Sequence, residues 1–171
     1  MSRSVRVGRP CRSTDHQTTM TMKTTAIKEN DMSDYGISIE LDIDINTARE
    51  RVTAALAEQG FGVLTEIDIA ATLKKKLGKD VPPQVILGAC NPVLADRALQ
   101  AETSIGLLLP CNVVLRSTGE NHTVVEALDP GVMVTFTGNP ALEPVATDAR
   151  TKLTAALDAL AATADTAPAK A

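Results

Sequence analysis

Two short segments carry the side chains best suited to chemistry, Gly88-Ala89-Cys90-Asn91-Pro92 and Leu109-Pro110-Cys111-Asn112-Val113. Each places a cysteine and an asparagine where a predicted strand meets an irregularity. Cys90 precedes Asn91, a good helix cap, and Pro92, a good first helical residue. A thiol at such a helix N-terminus meets free N–H groups and the positive end of the dipole, which favour the thiolate. If both segments end on the same side of one sheet, the two thiols are neighbours. Such a pair can oxidise reversibly, bind a soft metal or attack an electrophile. The plainer alternative is that both are small buried hydrophobes, as free cysteines commonly are. A closed zinc site wants four N or S ligands. The domain offers one further ligand of that kind, His122, in a predicted turn, so no metal and no cofactor is assigned.

Other candidates are weaker. Glu66 and Asp68 flank Ile67 at a strand-to-helix junction, and Asp68 reads most simply as the cap of the following helix. Arg116 can pair with Glu126 across a predicted hairpin or meet a ligand carboxylate. Lys74, Lys75 and Lys76 read as the solvated face of a helix. There is no G-x-S-x-G, no G-x-x-x-x-G-K-[ST] and no G-x-G-x-x-G, so the familiar nucleophile elbow and phosphate loops are missing.

Composition narrows the classes. The chain has 171 residues, is 44% hydrophobic and 22% charged, and carries a net charge of −4. Aromatic residues make up only 2%, namely Tyr35, Phe61 and Phe136. That is too few for a base-stacking platform, and the acidic balance argues against nucleic acid as a partner. Residues 1–35 hold six Lys/Arg against four Asp/Glu, and the remainder eleven against seventeen, so a mildly basic tail precedes an acidic domain. No apolar stretch of roughly 18 residues is present, and the start has no apolar signal region, so no membrane span or secretion is expected. With three cysteines, a reducing, cytoplasmic setting is the expectation.

The elements that must position the cysteines read as follows. Residues 1–34 lack apolar periodicity and are expected to be a disordered tail, either a transit peptide or an over-extended start with Met32 as an alternative. Residues 35–162 form one domain, and 163–171 a second tail. Ile37, Ile39, Leu41 and Ile43 alternate with polar residues as a half-buried strand. Thr47 to Gln59 follows as a helix, capped by Asp44 or Asn46 and stopped by Gly60. Phe61 to Glu66 is a strand, Asp68 to Leu77 a helix, Gln84 to Ala89 a strand and Val93 to Glu102 a helix. Ile105 to Arg116 is expected to be one long strand broken at Pro110, with Thr123 to Leu128 and Val132 to Thr137 as two further strands. Phe61 and Phe136 are expected in the core. A final helix carries Val145, Ala149, Leu153, Leu157 and Leu160 on one face. The order β-α-β-α-β-α-β-β-β-α predicts an α+β fold, a mixed or mostly antiparallel sheet with helices on one face.

The blocks Gly60-Phe61-Gly62-Val63-Leu64-Thr65-Glu66-Ile67-Asp68, Lys76-Leu77-Gly78, Ile86-Leu87-Gly88-Ala89-Cys90-Asn91-Pro92 and Gly106-Leu107-Leu108-Leu109-Pro110-Cys111-Asn112-Val113 resemble the domain of unknown function 302 family. The resemblance implies a TBP-like α+β fold and a homodimer, and it brings no activity. Its signature weights Cys90, Asn91, Pro92, Pro110, Cys111 and Asn112, with Asp68 in a further block. The functional expectation is a homodimeric module that binds or senses a small molecule, at a site made by Cys90, Asn91, Cys111 and Asn112 with Arg116, Asp68 and Glu66 as polar contacts. A thiol-dependent redox protein or enzyme using Cys90 and Cys111, and a structural interaction domain with core cysteines, are the alternatives.

Overall fold

The computed structural model describes residues 34–164. The readings of the tails concern residues outside that range, apart from the few at its ends.

Five strands form one antiparallel sheet in the order β1-β5-β4-β3-β2. They are β1 (Gly36–Leu41), β2 (Gly62–Asp68), β3 (Gln84–Cys90), β4 (Cys111–Gly119) and β5 (His122–Leu128). The helices are α1 (Ile45–Glu58), α2 (Ile69–Leu77), α3 (Pro92–Ala101), α4 (Gly131–Thr137) and α5 (Glu143–Ala164). The alternation read from the sequence decides which sheet face is buried. Leu41, Leu87, Ala89, Cys111, Val113, Leu115, Val125 and Ala127 point to one face and are buried there. Ala48, Val52 and Leu56 of α1, Leu94 and Ala98 of α3, Met133 of α4, and Ala149, Leu153 and Leu157 of α5 cover them. The core is therefore aliphatic, with Phe61 its one buried aromatic ring among the described residues.

Helix ends follow local chemistry. Asp44 caps α1, accepting from the Asn46 and Thr47 N–H groups at 3.0 and 3.2 Å. Asp68 caps α2, accepting from the Ala71 N–H at 2.8 Å. Gly60 and Gly78 follow the first two helices at φ 80° and 66°, where a side chain would be strained. The helix α2 contributes no buried residue.

Two expected strand segments are not strands. Thr103–Leu108 is a 3-10 helix, so Ile105 to Leu109 does not extend β4. The Glu102 carboxylate accepts from the Ser104 N–H at 3.3 Å and turns the chain away from the sheet. Ile105 points into the core while Leu107 is 88% exposed, a helical rather than an alternating pattern. Val132 to Thr137 lies within α4, not in a sixth strand. The Asp129 side chain accepts from the Gly131 N–H at 2.8 Å, and Gly138 closes the helix at φ 66°. Turn chemistry at both ends overrides the β-branched composition between them. Phe136 consequently falls on the outer side of α4 and is 78% exposed, not in the core.

Candidate functional site

The two cysteine segments meet. Cys111 begins β4 and is the register partner of Ala89, the neighbour of Cys90. Gly88 makes this approach possible. A Cβ there would come within 2.8 Å of Pro110 Cγ and collide with the Thr65 hydroxyl. The bare glycine lets Pro110 pack over β3, and Pro110 in turn delivers Cys111. The Leu109–Pro110 peptide bond is cis.

Asn91 fixes the other side. Its side-chain carbonyl accepts from the Leu94 N–H at 3.2 Å, which starts α3. Its amide donates to the Gln59 carbonyl at 3.5 Å, beyond the end of α1. Gly60 leaves room for this, since a Cβ there would lie 3.0 Å from the Asn91 amide nitrogen. Asn91 thus ties two helix ends to the tip of β3.

Between these segments lies a cavity of about 20 Å³, room for a single water-sized guest. Cys90, Cys111 and Asn91 line it from the sheet end, Phe61 from the start of β2, Ala98 from α3, Met133 from α4 and Ala149 from α5. No charged side chain lines it. Cys111 is 6% exposed and Cys90 half-buried, and both thiols are free. Burial pushes the Cys111 thiol up to about 11, with a smaller push from neighbouring Cys90. Cys111 is therefore a neutral thiol at neutral pH and not an activated thiolate.

The remaining expected site residues lie elsewhere. Asn112 pairs in register with Gly88 and is exposed. Arg116 binds Glu126 through Nε and Nη2 at 3.1 and 2.6 Å, far along β4 from Cys111. Glu66 accepts from Arg49 Nη1 at 2.6 Å. Asp68 pairs with Val85 at the opposite end of β2 from Gly62, the partner of Cys90, about 20 Å away at strand rise. The residue that sequence reasoning missed is Met133. Its segment reads as a strand, and only the flanking Asp129 and Gly138 signal the helix that turns its thioether inward. His122, the other candidate ligand, lies 3.4 Å from Glu40 and 3.7 Å from Asp42, well away from the cysteines. Among the described residues no helix is long and apolar enough to cross a membrane, and no three His, Cys, Asp or Glu side chains gather as a metal group.

Comparison with known proteins agrees with this architecture. No curated protein matches the chain. The crystal structure of an uncharacterized conserved protein DUF302 from Bacillus stearothermophilus superposes with a TM-score of 0.68 and 31% sequence identity, covering 74% of this chain and 98% of that one. The family described as Domain of unknown function DUF302 matches residues 37–160. That span takes in both cysteine segments and every strand but the first residue of β1, and the chain belongs to the DUF302 family.

Proposed function

We propose that the chain is a small-ligand-binding or sensing module whose site is the cavity between the tips of β3 and β4 and helices α3, α4 and α5. The observation that carries this reading is the convergence of Cys90, Asn91 and Cys111 on one uncharged cavity. Its size restricts the guest to an atom or a very small group. A nucleophilic role for Cys111 draws no support from its surroundings, because burial holds its proton on. Asn112, Arg116, Glu66 and Asp68 are not part of the proposed site, since each has partners or a position away from it.

The module is proposed to work as a homodimer in a reducing, cytoplasmic setting. The sheet face opposite the core carries Ile86, Val114 and Val124, all half-buried, and Ile67, 47% exposed. Lys74, Lys75 and Lys76 of α2 lie beside one sheet edge, and Glu40 and Asp42 at the other. A two-fold axis parallel to the strands reverses the strand order and sets each basic edge against the partner's acidic one.

Native mass spectrometry of freshly purified protein tests the cavity. A stoichiometric non-covalent adduct is expected, and it should disappear in Ala98→Leu, which fills the space. The same adduct on both proteins would place the ligand elsewhere and end this reading.

A further inference from the structure

We infer that the cavity is a dry site for one small, uncharged, apolar molecule of the size class of the diatomic gases. This rests on the cavity being the ligand site and names the class of its guest.

Size and lining both point there. The space of about 20 Å³ admits one guest of water to diatomic size. Its walls are hydrocarbon from separate elements: Phe61 ahead of β2, Leu94 and Ala98 from α3, Met133 from α4, and Val145 and Ala149 from α5. All of these are buried. No charged side chain lines the space, so an ion there would lose its hydration and gain no counter-charge.

Water fares little better. A buried water needs about two to four polar partners, and the amides at this wall are already engaged. The Leu94 N–H donates to the Asn91 side-chain carbonyl at 3.2 Å. The Ala95 N–H donates to the Asn91 backbone carbonyl at 2.9 Å, and the Leu109 N–H to the Gly106 carbonyl at 3.3 Å. The Asn91 amide itself donates to the Gln59 carbonyl at 3.5 Å. What the wall still offers is chiefly the Cys111 thiol, a weak donor and a weak acceptor. Burial holds its proton on, so it brings no charge. An empty space of this kind forfeits dispersion contacts along its lining. An apolar guest restores them and needs no hydrogen bond, whereas water would give up its bonds to bulk solvent on entering. Binding is non-covalent, with no bond made or broken.

The test uses the full chain with isotope-labelled methyl groups, followed by NMR under argon pressure, with helium at equal pressure as the control. Argon has no charge, no dipole and no hydrogen-bonding capacity. Saturable shift changes are expected, confined to the methyls of Leu94, Ala98, Met133, Val145 and Ala149. Those methyls should show no cross-relaxation with water. Ala98→Leu, which fills the space, should abolish the argon response. If that variant does not fold, the confinement of the parent's shifts and the absence of water contacts decide alone. Argon shifts spread evenly over the core, shifts unaltered in a folded Ala98→Leu, or water cross-relaxation at the lining methyls overturns the inference. A native-mass adduct that is lost in Ala98→Leu, with no argon response in the parent, overturns it and leaves the cavity reading standing. Neither adduct nor argon response overturns both.

Discussion

Cys111 shows how position sets the properties of one side chain. Next to a proline and opposite Ala89, it is shut away from water and from any cation that would stabilise its charge. Burial pushes it from an ordinary 9.0 up to about 11. The folded chain therefore holds a proton that the unfolded chain gives up between these two values. Stability from this group is fully present below pH 9 and is lost as pH rises toward 11. Two pKa units correspond to about 3 kcal/mol. Cys111→Ala should accordingly show a shallower fall in unfolding free energy between pH 9 and 11 than the parent, measured by denaturant titration. Equal slopes would mean that the thiol is not desolvated.

At the residue scale the sequence was informative about identity and poor at grouping. Cys90, Asn91 and Cys111 stand out in the sequence because a cysteine beside a helix cap has a mechanism attached to it, and the fold brings all three to one cavity. Glu66, Asp68 and Arg116 look equally promising as isolated charges. Only the register shows that the first bonds Arg49, the second caps α2 and the third bonds Glu126. Charge type is local information, whereas the face and strand end on which a charge falls depend on partners far away in the chain.

At the element scale the Gly88–Pro110 contact is the hinge of the site. Replacing Gly88 by Ala puts a Cβ 2.8 Å from Pro110 and against the Thr65 hydroxyl, in a buried position. Overpacking of this kind costs about 1–3 kcal/mol. Gly88→Ala should lower the melting temperature, and adding Thr65→Ala should restore part of the loss, because it removes one of the two collisions. An unchanged melting temperature in the single variant would mean that β3 and β4 are less closely packed than described.

Capped and glycine-stopped helices were readable, since Asp44, Asp68, Asn91, Gly60 and Gly78 act within a few residues of themselves. The two misread segments, around Ile105 and Val132, are short apolar runs, where period gives no decision between strand and helix. In both, a side chain bonding a nearby backbone N–H (Glu102 to Ser104, Asp129 to Gly131) commits the chain to turning. Misreading the second hid Met133, since a strand at that place has no reason to turn a buried thioether toward the cavity.

At the scale of the whole molecule, one sheet face is roofed by helices and the other is not roofed to the same depth. In the proposed homodimer the uncovered face meets its copy. Val114 lies near its middle, on the central strand β4 and in register with Ile86 and Glu126. Val114→Asp should convert a sedimenting dimer to a monomer with unaltered far-ultraviolet circular dichroism. A parent that already sediments as a monomer, or a variant that stays dimeric, would remove the sheet face as the interface.

The strand order has a consequence for how the chain reaches this state. The first two strands in sequence are the two edges of the sheet, and β1 finds its only sheet neighbour in β5, where Gly36 meets Leu128. The opening strand cannot pair early, because α1 carries the chain across the sheet before any central strand exists. The β4–β5 hairpin is the most local pairing, with β2–β3 and β3–β4 next, and closing the long loop to β1 carries the largest entropic cost. Assembly is thus expected to add β1 last, with the opening strand waiting for the closing one as the final rung of the ladder.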